Sequence, residues 1–316
     1  MAGQIINWDD VPRRAVQRGP LDAVWTNLGA ASGTVRVGLR REEMQPGRRA
    51  LPPHAHTAEE ELFFVVGGSG LSWQGGEVYE VRAGDCLLHL PAGKAHALIA
   101  GPDGLDVLAF GDRVPTEAAY LPRGHVAWLG PTWVSAGDGE HPWARDAAAG
   151  ELELPQPSPR PPTMVNVEDV QPERTAHGEA DFVQRKLSLA VGSRHAGLRH
   201  VTVAPGKCSF PPHCHSMDEE LFVVLDGDGV ALLQSPLTWD WKSEEHPVRR
   251  GSVVALPAGT GMAHAFRAGA DGVVYLAYGT NEPGDVVWYP RSHKIGFGGL
   301  GIRGRLEPLD YWDGEE

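Results

Sequence analysis

Ile6-Asn7-Trp8-Asp9-Asp10-Val11 returns 159 residues later as Val165-Asn166-Val167-Glu168-Asp169-Val170. The same offset carries Pro46-Gly47 onto Pro205-Gly206 and Pro52-Pro53-His54 onto Pro211-Pro212-His213. It also carries His56 onto His215, and Glu60-Glu61-Leu62-Phe63 onto Glu219-Glu220-Leu221-Phe222. Farther along the offset is 168, taking His96-Ala97 onto His264-Ala265 and Pro122-Arg123 onto Pro290-Arg291. Self-similarity on this scale means one domain present twice, and 316 residues is a length that two domains share comfortably. The expected division is an N-terminal domain over 1–136, a Gly/Pro-rich linker over 137–163, and a C-terminal domain with a tail over 164–316. Pro155-Gln156-Pro157-Ser158-Pro159-Arg160-Pro161-Pro162 in that linker can form neither a helix nor a central strand.

Within each copy, short runs rich in β-branched and aromatic residues sit between Gly and Pro punctuation, as at 62–66, 107–110, 221–225 and 273–278. Forty Gly and 26 Pro suit many short strands, and no long stretch of helical period competes with them. The fold class predicted is all-β, with each copy an antiparallel barrel or sandwich. Exposed strand edges are a liability, so the copies are expected to pack on one another as a pseudo-dimer, with homodimerisation a further expectation.

Six of the 14 histidines occupy three repeated positions, His54/His213, His56/His215 and His96/His264. In a strand, residues i and i+2 share a face, so His-x-His turns two imidazoles into one space. Glu61 and Glu220 both precede a repeated glycine, Gly68 and Gly227, by seven positions, whereas the same step from Glu219 reaches Asp226. The repeat therefore selects Glu61 and Glu220, and Glu59, Glu60, Asp218 and Glu219 are expected to be solvated turn charges. Imidazoles with a carboxylate favour a divalent transition metal (Fe, Mn, Ni, Cu or Zn), up to one per domain, over the all-oxygen shells of Mg or Ca.

These residues resemble the cupin pattern, and the chain is similar to a bicupin along nearly its whole length. Pro-Pro-His54-Ala-His56 through Glu61 to Gly68, and His213-Cys-His215 through Glu220 to Gly227, match the first cupin motif. Gly84 through Pro91-Ala-Gly93-Lys-Ala-His96 and Gly251 through Pro257-Ala-Gly259 to His264 resemble the second. The departures are six residues rather than five before Pro91, four rather than two before His264, and Ala100 and Ala268 where the pattern has Asn. The resemblance implies two double-stranded β-helix (jelly-roll) barrels, with metal held by His54, His56, Glu61 and His96, and by His213, His215, Glu220 and His264. It further implies a metal-dependent enzyme on a small organic molecule, of dioxygenase, decarboxylase, isomerase or lyase type. The alternative is a non-catalytic metal- or ligand-binding cupin with a storage or sensory role. Phe63, Val65, Leu98, Phe222, Val224 and Phe266 are expected to wall the pockets, and the two sites are expected to be inequivalent.

Twenty-eight Lys and Arg against 41 Asp and Glu give a net charge of −13, the wrong sign for nucleic acid or anionic membrane as partner. No run approaches a membrane span, and the N-terminus lacks a signal core, so a cytoplasmic location is expected. Cys86, Cys208 and Cys214 carry no catalytic or disulfide signature. His125 and His293, each in Pro-Arg-x-His, read as packing or pocket-edge residues. Trp239-Asp240-Trp241 lies in an insertion that is either a lid or an anchored loop, and Tyr311 and Trp312 read as a docked tail. The pairs Arg40-Arg41, Arg48-Arg49 and Arg249-Arg250 read as solvated.

Overall fold

The computed structural model describes residues 5–129, 132–135, 141–234, 242–307 and 309–315. Among these residues are two eight-stranded and two four-stranded sheets, one of each kind per barrel. Each barrel is a jelly roll, the double-stranded β-helix.

The strand Glu61–Gln74 shows how the sequence builds this arrangement. Its residues alternate between two apolar environments: Phe63 and Val65 point into the first barrel's own core, while Leu62 and Phe64 point to a core shared by both halves. The repeat-related strand Glu220–Gln234 does the same, with Phe222 and Val224 inside the second barrel and Leu221 and Val223 in the shared core. A run apolar on both faces is what a sheet covered on both sides requires. The shared core also takes Phe110 stacked on Tyr278, their centroids 5.1 Å apart, and the short helices Leu28–Ser32 and Leu187–Val191. The two copies are thus joined as a pseudo-dimer through apolar burial.

Gly68 and Gly227 sit where these strands shift register. Both have positive φ, +79° and +73°, and a Cβ at either would run into the carbonyl of Gly104 or Gly272. The repeated glycine is therefore a backbone requirement.

The first strand of each copy crosses to the other sheet. Ile5–Asn7 pairs with Ser252–Leu256 of the second barrel, and Met164–Asn166 pairs with Asp85–His89 of the first. Asn7 donates to the Arg250 carbonyl, and Asn166 donates to the Ala83 carbonyl and Asp85. The boundaries read from sequence order group strands differently from the sheets. Residues 155–162 form neither helix nor strand, whereas Pro142–Ala148 nearby is a short helix.

Three sequence expectations are corrected. Tyr311 and Trp312 are 85% and 68% exposed, packing on each other rather than on the barrel. Arg40, Arg41 and Arg49 are not solvated. Arg40 lies over Trp25 and pairs with buried Glu42, Arg41 lies over Trp8 and pairs with Asp106, and Arg49 is buried beside Asp146. Glu60 and Glu219 are not turn charges either; both are buried at the junction of the halves. Trp239-Asp240-Trp241 lies outside the described residues. His125 and His293 share φ +50° in matching turns. Among the described residues no helix is long and apolar enough to cross a membrane.

Candidate metal centres

Alternation along Glu61–Gln74 decides the carboxylate. Glu61 shares a face with Phe63 and turns into the barrel, meeting His54, His56 and His96 at 3.7, 3.3 and 2.9 Å through Oε2. Glu60 turns the opposite way, to the second half, and accepts hydrogen bonds from the Ser193 hydroxyl and the Arg194 and His195 N–H groups. Its repeat partner Glu219 accepts from the N–H groups of Val35 and Arg36 in the first half. The charges read as solvated therefore clamp each half to the other, because the face opposite the site is covered by the other barrel.

In each copy the two imidazoles of His-x-His are fixed by their Nδ1 atoms. His54 and His213 each donate to a proline carbonyl, Pro52 at 2.9 Å and Pro211 at 2.8 Å. A carbonyl only accepts, so the proton is on Nδ1 and a neutral ring leaves Nε2 bare. His56 pairs through Nδ1 with Glu117 at 3.0 Å, and His215 with Asp285 at 2.6 Å. Both carboxylates also accept backbone N–H groups from the loops that follow, Ala58 and Glu59 in one case and Met217 and Asp218 in the other. Glu117 and Asp285 are 168 residues apart, so the repeat held the signal for these orienting groups although the motifs did not. His96 and His264 lie at the start of the long strands His96–Asp112 and Ala263–Gly279, each bridged antiparallel to the first histidine of its His-x-His pair. The extra residues before His264 form a longer loop and do not displace it, since its Nε2 lies 3.0 Å from Glu220.

Such a set fits a cation. Nε2 of His56, His215 and His264 and Oε2 of Glu220 are buried without hydrogen-bond partners. Burial opposes charge on His56, but the carboxylates of Glu61, Glu117 and Glu59 outweigh it and push its pKa up to about 12. Burial likewise opposes charge on His215, which the carboxylates of Glu220 and Asp285 raise to about 9. Burial, reinforced by neighbouring imidazoles, lowers His96 to about 4 and His213 to about 3. Burial alone would raise Glu61, yet the His56 charge and the imidazole hydrogen bonds hold it well below the usual carboxylate range. Each cluster demands positive charge but protonates unevenly, which leaves bare nitrogens facing a carboxylate. A divalent metal with open positions satisfies such a donor set.

The two clusters differ. Donor atoms of His54, His56, Glu61 and His96 lie mutually within 4.8 Å, whereas in the second barrel only His213, Glu220 and His264 do. His215 reaches Glu220 at 3.3 Å but its ring is 6.5 Å from His264, against 5.9 Å for His56 and His96. A cavity of about 520 Å³ opens on Glu61, bordered by Arg40, Glu59, Glu117, Asp112 and Trp128. Glu61 is the one cluster residue in that lining, whereas a larger groove, about 900 Å³ beside Ile5 and Arg249, is lined by no cluster residue. Phe63 and Phe222 pack against His96 and His264, with ring centroids 6.0 and 5.2 Å apart. His89, opposite Glu61 in the sheet, went unread because its counterpart opposite Glu220 is Leu256, so no repeat marks it.

The cupin-domain family matches residues 40–108 and 199–278, one stretch in each half. No curated protein sequence matches the chain. Among solved structures, oxalate decarboxylase of Bacillus subtilis at pH 4.6 is similar at 16% identity and a TM-score of 0.60, over 89% of this chain and 76% of that one. The formate complex of Lactobacillus farciminis oxalate decarboxylase gives 14% identity and a TM-score of 0.61, over 89% of this chain and 87% of that one. At such identities the likeness speaks for the fold. Two family matches in tandem, two jelly rolls and two His-x-His, Glu, His clusters make this chain a bicupin of the cupin superfamily.

Proposed function

We propose that the chain is a metal-dependent enzyme acting on a small organic molecule, with a first-row transition metal held by His54, His56, Glu61 and His96, and a second by His213, His215, Glu220 and His264. The observation that carries this reading is the convergence of imidazole nitrogens, their Nδ1 atoms already engaged, on one buried carboxylate oxygen at the end of a cavity. A metal so held supplies a Lewis acid for a substrate oxygen, or one-electron chemistry with dioxygen if it is redox-active.

The chain's own groups supply the rest. Glu117 and Asp285 hold the Nδ1 protons of His56 and His215, which directs Nε2 inward, where a metal would take the place of its proton. Phe63 and Leu98 exclude bulk water on the barrel side, so interactions at Glu61 act in a low-dielectric space. The first site is the reactive one in this reading: its four donors are mutually close and its cavity reaches Glu61. The similarity to oxalate decarboxylases supports testing a decarboxylation first, with dioxygenase and isomerase chemistry next. Protein purified without chelators, assayed for bound metal, oxygen uptake, carboxylate consumption and sugar isomerisation, tests the proposal. Turnover that disappears in His56→Ala is expected. Bound metal without turnover in any of these assays would favour a non-catalytic binder.

A further inference from the structure

His89 ends the strand Asp85–His89 directly across from Glu61, so it faces into the first barrel at the level of the imidazoles. Its ring lies flat on His96, with centroids 3.7 Å and planes 7° apart, and stands edge-on to Phe63 at 5.4 Å. It is 6% exposed, and its Nε2 has no hydrogen-bond partner. It is not among the donor atoms that lie mutually within 4.8 Å, so it borders the cluster rather than joining it. An unsatisfied buried nitrogen is costly, and folds keep such groups where something else completes them. The barrel itself does not require one here. In the second copy the same position, opposite Glu220, is Leu256, 4% exposed.

We propose that His89 is the hydrogen-bonding contact for a small ligand bound in the first barrel. It makes this barrel, and not the second, selective for ligands whose metal-bound group carries an adjacent polar atom. Carboxylates, α-hydroxy ketones and linear anions such as azide have that character. A neutral imidazole offers a donor at one nitrogen and an acceptor at the other, so either a carbonyl-type oxygen or a hydroxyl is matched. In the second barrel, Leu256 presents only apolar surface to the same region. The inference rests on the metal reading above and adds a ligand class and a distinction between the two sites.

The test uses the full chain carrying His215→Ala, loaded with cobalt(II) so that the ion reports on the first barrel, and titrated with azide by visible absorption. His89→Phe keeps a ring against His96 but removes the nitrogens; His89→Gln removes the ring but keeps a donor and an acceptor. The expected result is that His89→Phe retains cobalt and binds azide about tenfold more weakly, while His89→Gln stays within about threefold of His89. Unchanged azide affinity in His89→Phe overturns the proposal, as does an equal loss in both variants. Loss of cobalt from His89→Phe also overturns it, since His89 would then act by holding His96. If the unmutated chain binds no cobalt, the metal reading itself fails. If it binds cobalt and His89→Phe is silent, only this inference fails.

Discussion

Neighbouring carboxylates meet opposite fates here because a strand alternates its faces: Glu61 turns to three imidazoles, and Glu60 turns to the Ser193 hydroxyl and the Arg194 and His195 N–H groups of the other half. Replacing Glu60 by Ala removes the acceptor of three part-buried, charge-assisted donors, the Ser193 hydroxyl and the Arg194 and His195 N–H groups, and hydrogen bonds to a charged group contribute roughly 1.5–3 kcal/mol each. Glu60→Ala is therefore expected to cost about 2–4 kcal/mol of stability, read from urea unfolding as a lower midpoint, while Glu61→Gln changes stability less and metal content more. At the rear of the cluster, Glu117→Gln and Asp285→Asn should each weaken metal binding about 10–100-fold, measured by competition with a chelator. The choice of Glu61 over Glu60 was legible because the repeated glycine keeps step with it. The burial of Glu60 was not, because local sequence does not say that another barrel covers the opposite face. The Arg40–Glu42 pair was hidden for a related reason: a charged pair inside a barrel has the same sequence pattern as one on its surface.

At the scale of elements, the exchanged first strands tie each copy to the other's sheet. Trp8, just beyond Ile5–Asn7, is 4% exposed, its N–H bonded to the Gly251 carbonyl and its indole beneath the guanidiniums of Arg41 and Arg250. Trp8→Ala is expected to cost about 3–5 kcal/mol, and hydrogen exchange should show the loss first at Ser252–Leu256, the strand that Ile5–Asn7 covers. If protection there is unchanged, the exchanged strand does not stabilise the second sheet. The repeat located both copies of this segment, but a strand's partner is chosen by tertiary packing, and nothing local in Ile6-Asn7-Trp8 names the distant sheet. The long strands were legible from their β-branched and aromatic runs, because burial on both faces requires nearly every side chain to be apolar.

At the scale of the whole molecule, one apolar core runs through both halves, and they should unfold in a single cooperative transition. That junction carries a pH dependence. Burial, with the charges of Glu59 and Glu60, raises Asp112 to about 6 despite its hydrogen bond from Tyr278. The folded chain thus holds this proton more tightly than the unfolded one, for which the ordinary value is 3.8. The associated stability is present below about pH 4 and is lost as pH rises to about 6. Asp112→Asn should flatten that slope and be more stable at pH 7 by about 1–3 kcal/mol, read from denaturation across the pH range. The measurement that bears most directly on the account is metal content per chain, in the unaltered protein and in His56→Ala, His215→Ala and the double variant. The account predicts up to two first-row ions per chain, a loss at the altered site in each single variant, and none in the double variant. Metal content unchanged by all three substitutions would contradict it.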